Sequence, residues 1–249
     1  MEEKRGWSGS TLKMIAIITM LIDHIGAVIL ERGILVKVSG QSVLSADIAA
    51  LHAYNKWQMI DRIFRSIGRL AFPIFCFLLI EGFLHTRDWR KYFIRLFLFS
   101  FLSEIPFDFA VYGKAFCWYS QNVYFTLWIG LLVITGIRYI EEREEIAEGL
   151  KKLLQILTVI AGIGLAEWMR TDYAGFGVFA IAGLYFLRSN KKVQTAFGCI
   201  SFAWEITAPL AFIPIYKYNG TRGWNLKYVF YVFYPVHLLI LGLIVKFAF

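Results

Sequence analysis

The chain has 249 residues, of which 58% are hydrophobic and 18% aromatic, and its formal net charge is +8. Apolar runs of about 20 residues recur along it, the length that a helix needs to cross a hydrocarbon core of about 30 Å. This pattern excludes an ordinary soluble domain, and the positive charge does not indicate nucleic-acid binding, because the cations cluster in short loops between the apolar runs. We expect an all-α, polytopic membrane protein that forms one integral domain over residues 1–249.

About eight membrane-spanning helices are predicted. The first covers Leu12–Leu30, and a long connection over residues 32–60 follows it, with a short helix at the membrane surface expected over residues 46–59. The other spans are predicted at Ile63–Leu84, Tyr92–Tyr112, Val123–Ile140, Leu153–Trp168, Gly175–Leu187, Val193–Pro214 and Leu226–Lys246. With eight spans the first runs outward, the seventh outward and the eighth inward.

The distribution of cations predicts the orientation of these spans. An even number of spans places both termini on one side of the membrane. The loops predicted on that side hold most of the cations, among them Lys4, Arg5, Arg87, Arg138, Lys151 and Lys192, whereas Lys217 and Arg222 fall on the other side. Because cytoplasmic loops are enriched in Lys and Arg, we expect both termini in the cytoplasm.

The first span carries ionisable residues in its middle. Asp23 and His24 are adjacent, and Lys13 precedes His24 by eleven residues, so Lys13 and His24 share one helix face about 16 Å apart. Ionisable side chains at this depth are functional candidates by default. Since neighbouring side chains diverge on a helix, Asp23 is expected to bond a neighbouring helix and to fix the angle of the first span.

Further polar residues fall in the middle or outer part of other predicted spans. They are Arg69, Glu104, Asp108, Asn122, Tyr234 and His237. Buried charges pair or line a wet cavity, so these residues are predicted to surround one cavity that opens outward. Structural interpretations remain open, in which Arg69 pairs with Glu104 or Asp108 and His237 bonds a backbone carbonyl.

The entrance of the third span is basic. Its cations are Arg87, Arg90, Lys91 and Arg95. They either anchor the helix at the cytoplasmic surface or bind phosphate, which guanidinium groups do in a bidentate manner. No metal site is predicted, because Cys76, Cys117 and Cys199 are scattered among apolar residues without ligand spacing.

Six segments, in order along the chain, resemble the TraX family of membrane proteins. They are LKMIAIITMLIDHIGAV at 12–28, IGRLAFPIFCFLLIEGF at 67–83, RLFLFSFLSEIPFD at 95–108, NVYFTL at 122–127, YNGTRG at 218–223 and YVFYPVHLLIL at 231–241. TraX-like proteins are associated with acetylation of the N-terminus of a conjugative pilin subunit. They are similar to the transmembrane acyltransferases, among them acyltransferase family 3, in which a basic residue precedes a first-span histidine by eleven positions, as Lys13 precedes His24.

The resemblance implies an acyltransferase-like helical bundle in the bacterial inner membrane. Acetyl-CoA would be the acyl donor on the cytoplasmic side, and the acceptor would be an amine or hydroxyl, from a peptide N-terminus or a cell-envelope carbohydrate, at the outer side. The oligomeric state is left open. An alternative of another class is a proton-coupled transporter or channel in which Asp23, His24, Glu104 and His237 form a relay.

The acyltransferase reading assigns a role to each candidate residue. His24 is the expected general base, because imidazole titrates near neutrality, and Asp23 braces its helix. Arg69, Tyr234 or His237 would donate a hydrogen bond to the oxyanion. Acceptor binding is expected at Glu104, Asp108 and Asn122. CoA binding is expected at Lys13, Arg87, Arg90, Lys91 and Arg95.

Overall fold

The structure is a computed structural model that describes residues 6–45, 48–224 and 227–249, with side chains for 6–40, 48–224 and 228–249. The described chain is 79% helical and contains no β-strand, which confirms the predicted all-α class. Within these described ranges, five helices are long and apolar enough to cross a membrane. They are Gly9–Gly40, Ile48–His85, Val123–Glu141, Glu148–Trp168 and Tyr228–Ala248. The chain therefore has the character of a multi-pass membrane protein.

The helices follow one another closely along the chain. Helix α1 (Gly9–His24) passes through a π-helical segment (Ile25–Leu35) into α2 (Val36–Ser45). The remaining helices are α3 (Ile48–Gly68), α4 (Ala71–His85), α5 (Trp89–Tyr112), α6 (Val123–Glu141), α7 (Glu148–Trp168), α8 (Ala174–Phe186), α9 (Lys191–Ser201), a 3₁₀ turn (Ala208–Ala211), α10 (Phe212–Tyr216) and α11 (Lys227–Ala248).

The first helix continues well past the predicted end of the first span. Ser8 caps it by accepting the Thr11 amide at 3.3 Å, and α1, the π segment and α2 together extend about 55 Å at 1.5 Å per residue. This exceeds a hydrocarbon core of about 30 Å, so the helix projects beyond it. The predicted connection over residues 32–60 is therefore wrong: it is helical to Ser45 and again from Ile48, and Ala46 lies outside the described residues.

The second predicted span is divided at Arg69 and Leu70, between α3 and α4. Pro73 explains the break, because it has no N–H to bond the carbonyl of Arg69 one turn earlier. The predicted span at Ile63–Leu84 consequently consists of the end of α3 and almost all of α4. The side chain of Arg69 lies at the bend.

The seventh predicted span is not one helix. Within Val193–Pro214 the chain forms α9, leaves the helical conformation after Ser201 and continues through the 3₁₀ turn into α10. Helix α8 has 13 residues, fewer than the number needed to cross a full hydrocarbon core. By contrast, α6 and α7 occupy the predicted fourth and fifth spans, and α5 occupies the third.

Two compact units make up the chain. Unit 1 comprises Met1–Ile74, Ile105–Cys117 and Phe202–Phe249, and unit 2 comprises Phe75–Glu104 and Trp118–Ser201. In unit 2, α6, α7 and α8 pack closely through glycines. A Cβ atom added at Gly130 would overlap Ile181, and one at Gly162 would overlap Val133, so both positions require the absence of a side chain.

In unit 1, the first and last helices run parallel. The Nζ atom of Lys13 lies 5.3 Å from the ring centroid of Phe230, and His24 bonds His237 about two turns further along α11. At the far end, the backbone of Gly33 packs against the ring of Phe249. The predicted inward direction of the last span is therefore wrong. Two parallel spans at the start and end require an odd number of crossings and place the termini at opposite ends.

The path of the chain before α11 explains why α11 starts from the same end as α1. Glu205 lies beside Arg69, whereas the carbonyl of Lys217 accepts the amide of Trp7 at 2.9 Å, next to the start of α1. Residues 205–217 thus run back toward the end at which α1 begins. This half of the predicted seventh span has the opposite direction to the prediction, and α11 starts from the same end as α1.

Candidate active site

Two imidazoles from the ends of the sequence meet in unit 1. His24 is the last residue of α1, at the point where the helix widens into the π segment. His237 follows Pro235 in α11. The ring centroids are 4.9 Å apart with an interplanar angle of 22°, and His24 Nδ1 lies 2.6 Å from His237 Nε2. Short π-helical stretches inside α-helices are frequent at functional sites.

The hydrogen bonds of His237 determine the tautomer of both rings. His237 Nδ1 lies 2.7 Å from the carbonyl oxygen of Phe233, which can only accept, so Nδ1 carries the proton. In a neutral ring, Nε2 of His237 is then the acceptor, and His24 must donate from Nδ1. The remaining nitrogen of His24, Nε2, has a lone pair, and no described residue donates to it.

Aromatic rings surround the pair. The ring of Phe233 stacks on His237 with centroids 4.6 Å apart, and Tyr234 lies 5.9 Å from His24 and 5.8 Å from His237. Tyr234 is 2% exposed. Lys13 Nζ sits over Phe230 on the same two helices, three turns before His24, in a cation–π arrangement. The predicted residues Lys13, His24, Tyr234 and His237 thus share the contact between α1 and α11.

Asp23 faces a different helix. Its Oδ2 forms a salt bridge of 2.6 Å with Arg65 of α3, and Arg65 Nε lies 3.4 Å from Glu31 of the π segment. Gly68 makes this approach possible, because a Cβ atom at that position would overlap Asp23. Asp23 therefore bonds a neighbouring helix and not His24, in agreement with the divergence of adjacent side chains.

Arg69 forms a salt bridge that the sequence did not indicate. Its Nε lies 3.2 Å from Glu205 Oε2, in the irregular stretch after α9. The turn of the chain at Glu205 brings this carboxylate to the bend between α3 and α4. The alternative in which Arg69 pairs with Glu104 or Asp108 stays a prediction.

The predicted acceptor-binding residues take part in local hydrogen bonds. In unit 2, Asn122 caps α6 by accepting the Tyr124 amide at 3.0 Å, and its side chain donates to Glu104 and to the carbonyl of Ser100. In unit 1, Asp108 Oδ2 accepts the amide of Cys117 at 2.6 Å. Glu104 and Asp108 belong to different units, and the role predicted for these three residues toward an acceptor stays a prediction.

The basic stripe lies at the start of α5 in unit 2. Lys91 Nζ is 3.4 Å from Asp88, and the Lys91 amide donates to the same carboxyl and lowers its pKa. Arg90 lies over the ring of Trp89, and Arg87 is exposed. Arg95 differs from these residues, because its Nε is buried and has no hydrogen-bonding partner among the described residues.

Two acidic residues near the site were not predicted. Glu31 and Asp61 lie close enough to Asp23 and Arg65 to interact with them electrostatically. The spacing of Asp61 and Arg65, four residues apart on α3, was the available signal. Among the described residues, no group of three or more His, Cys, Asp and Glu has the arrangement of a metal site.

Comparison with known proteins gives one family and one curated relative. The family described as TraX protein matches residues 8–245. The probable fimbrial assembly protein FimC, serogroup H1, of Dichelobacter nodosus is 28% identical over 265 residues, which cover 94% of each chain. No solved structure matches the chain. The family match includes both histidines, the bend at Arg69 and all described helices except the last residues of α11, and the chain therefore belongs to the TraX family.

Proposed function

We propose that this chain is an inner-membrane acetyltransferase, with a bundle like that of the transmembrane acyltransferases. It moves an acetyl group from acetyl-CoA to an amine or hydroxyl of a peptide or carbohydrate acceptor. The TraX family is associated with pilin acetylation and fimbrial assembly, which supports a transferase acting on a surface component. The observation that carries the proposal is the His24–His237 hydrogen bond, because it leaves His24 Nε2 as an open base inside the bundle.

The proposed reaction is a direct transfer. The acceptor nitrogen or oxygen attacks the thioester carbonyl while His24 Nε2 takes its proton. The tetrahedral intermediate collapses with cleavage of the C–S bond, and the proton on Nε2 passes to the departing thiolate. The products are the acetylated acceptor and CoA with a free thiol. During the step in which His24 is protonated, His237 Nε2 holds the Nδ1–H and keeps the ring oriented.

The negative oxygen of the intermediate needs a hydrogen-bond donor. Neutral His237 is unsuited to that task, because its Nδ1–H is bonded to Phe233 and its Nε2 accepts from His24. Tyr234 is buried, its phenol carries an O–H donor, and its ring lies 5.9 Å from that of His24. On this proximity, Tyr234 is the proposed oxyanion donor. Arg69, which is bonded to Glu205 through Nε, is the alternative.

The acyl donor is proposed to enter from the cytoplasmic face. Its phosphates suit the basic stripe of α5, and Arg95 is the strongest candidate there because it lacks a partner among the described residues. Lys13, which lies below His24 on the same face of α1, is the proposed contact in unit 1. The spacing of Lys13 and His24 matches the pattern of acyltransferase family 3.

The parallel packing of α1 and α11 and the positions of the cations support a proposed orientation in the membrane. Lys217 and Arg222 lie beside the start of α1, so they join the basic side and strengthen the bias toward a cytoplasmic N-terminus. We propose that the C-terminus lies at the outer face and that the chain crosses the membrane an odd number of times, not eight. The helical stretch beyond the hydrocarbon core, from the π segment into α2, then projects outward.

Acetyl transfer from acetyl-CoA to a synthetic peptide amine or an amino sugar tests the proposal. Purified protein should transfer acetyl groups, the variant His24→Ala should lose at least about a hundredfold in rate, and His85→Ala, at the exposed end of α4, should retain the wild-type rate. Wild-type transfer by His24→Ala would contradict the assignment. Absence of transfer to any acceptor, together with proton flux in proteoliposomes, would favour the transporter.

A further inference from the structure

The region in which α1 and the π segment meet α3 contains more acidic than basic side chains. Its members are the carboxylates Asp23, Glu31, Asp61 and Glu205 and the guanidinium groups Arg65 and Arg69. Arg65 is engaged by Asp23 at 2.6 Å and by Glu31 at 3.4 Å, and Arg69 by Glu205 at 3.2 Å. Both cations are thus occupied by other acids, and Asp61 has no cation of its own.

Asp61 is both buried and unsatisfied. The residue is 8% exposed, and its Oδ1 is sealed from solvent and accepts no hydrogen bond from any described residue. Arg65 attracts Asp61 electrostatically but forms no ion pair with it within 4.0 Å. A buried carboxylate without a partner destabilises the folded protein. Asp61 without a bound cation therefore lowers the free energy of unfolding.

The π segment covers one oxygen of Asp61. A Cβ atom at Gly26 would lie 3.1 Å from both Asp61 Oδ1 and Arg65 Cδ, so the chain is closely packed on that side of the carboxyl group. The remaining 8% exposure of Asp61 therefore belongs to its other atoms, and Oδ2 is the oxygen that a cation can reach. The side chain of Glu31 is 48% exposed and supplies a second carboxylate next to Arg65.

The depth of this site suits an approach from the outer face. Gly26 lies about 26 Å along the helix from Gly9, close to the far boundary of a hydrocarbon core of about 30 Å. An acceptor arriving from that side reaches Glu31 and Asp61, which lies beside Gly26, before it reaches His24. A net negative charge at the entrance attracts a cationic molecule and repels an anionic one.

We propose that Asp61 anchors a binding site for an organic ammonium group of the acceptor, with Glu31 as the second carboxylate. The three N–H donors of an ammonium match carboxylate oxygens, whereas the described residues offer no metal-binding group here. His24 and Gly26 are about 200° apart around the helix, so the ammonium is a recognition group separate from the reacting atom. The assignment to the acceptor rests on the proposed transferase function.

Thermal unfolding of the purified full chain in detergent tests the site, with n-butylammonium chloride as the probe. The wild-type Tm should rise with the probe, and it should not rise with n-butanol or with potassium chloride at the same ionic strength. In Asp61→Asn the probe should have no effect, while the Tm without probe should be higher than in the wild type, because the unpaired carboxylate is gone. Glu31→Gln, at a half-exposed position, should weaken the response.

A control variant separates this site from a general effect of removing a carboxylate. Glu141, at the end of α6, is partly buried and forms a salt bridge of 2.8 Å with Arg188. The response of Glu141→Gln to butylammonium should equal that of the wild type. No response in the wild type, or a response lost in Glu141→Gln and kept in Asp61→Asn, would overturn the proposal.

Acetyl transfer then distinguishes the site from the reaction. Asp61→Asn should raise KM at least tenfold for an acceptor that bears a second, fixed ammonium and leave KM unchanged for its neutral analogue. An active enzyme whose preference between the two acceptors is unaffected by Asp61→Asn refutes the inference alone. Butylammonium binding at Asp61 in a protein that transfers no acetyl group supports the cation site and refutes the transferase.

Discussion

Replacing His237 with leucine isolates what the last helix contributes to the state of His24. The substitution removes the nitrogen that accepts from His24 Nδ1 at 2.6 Å and keeps an apolar side chain in α11. Because the Nδ1–H is then left without a partner inside the bundle, we expect the free energy of unfolding to fall by about 1–3 kcal/mol. The carbonyl of Phe233 retains its helical position and adds little to this loss.

The larger consequence concerns the tautomer of His24. A net hydrogen-bond energy of about 1 kcal/mol favours the form with its proton on Nδ1, and its loss changes the ratio of the two tautomers about fivefold. Heteronuclear NMR of histidine-labelled protein reports the protonated nitrogen of each ring directly. The chain has four histidines, so single substitutions assign every signal. Acetyl transfer should fall at least in proportion to the lost tautomer.

The comparison variant is His85→Leu, since His85 is largely exposed and its Nδ1 contacts the carbonyl of Glu81 at the end of α4. This variant should leave the His24 signals unchanged. A wild-type spectrum with the proton of His24 on Nε2 would refute the reasoning, because the nitrogen proposed as the base would then have no lone pair to offer.

Three further outcomes follow from the packing and the topology. Gly68→Ala should lower the free energy of unfolding by about 1–3 kcal/mol, because the new methyl group overlaps the side chain of Asp23. Gly164→Ala, at a position in α7 that meets open space, should raise the free energy of unfolding by up to about 1 kcal/mol. Equal effects of the two variants on thermal unfolding in detergent would contradict the close contact at Gly68. Arg69→Met and Glu205→Met should show a coupling of about 0.5–3 kcal/mol in a double-mutant cycle, and additive losses would argue against the ion pair. A periplasmic reporter fused after Phe249 should be active and a cytoplasmic one inactive, and the reverse result would overturn the proposed placement of the C-terminus.

Hydropathy predicts where a helix can cross the membrane, and it does so well for α6 and α7. The fourth span was predicted at Val123–Ile140 and is found at Val123–Glu141. The fifth was expected to begin at Leu153 and begins at Glu148, because its first turn carries polar residues that lie outside an apolar window. The same limitation explains the missed helical continuation through α2, whose residues are too polar to be taken for a span.

Direction is harder to predict than crossing. A segment that enters partway and turns back has nearly the composition of a complete span, so Val193–Pro214 was counted as one crossing. The ionisable Glu205 inside that segment was the one indication of a turn, and its partner Arg69 lies far away in the sequence. Because this segment was counted as a complete crossing, the predicted direction of the following span, α11, was reversed.

The sequence indicated which residues belong to the candidate site, but it did not indicate which of them contact one another. His24, Tyr234 and His237 were each selected because polar groups are expensive at membrane depth. That the two imidazoles bond directly depends on the parallel packing of α1 and α11, which no local pattern encodes. Asp61 was missed because it lies outside the predicted spans, at the end of the predicted connection, although its spacing of four residues from Arg65 was a signal; the two residues form no ion pair within 4.0 Å.

The pairing of the first helix with the last has a consequence for biosynthesis. His24 emerges from the ribosome first, and His237 is made 213 residues later. Until α11 is inserted beside α1, the first helix has no acceptor for its Nδ1–H and the orientation of its imidazole is unconstrained. A chain that is stalled before α11 therefore lacks the His24–His237 hydrogen bond, and any site that depends on this bond forms only after α11 is in place.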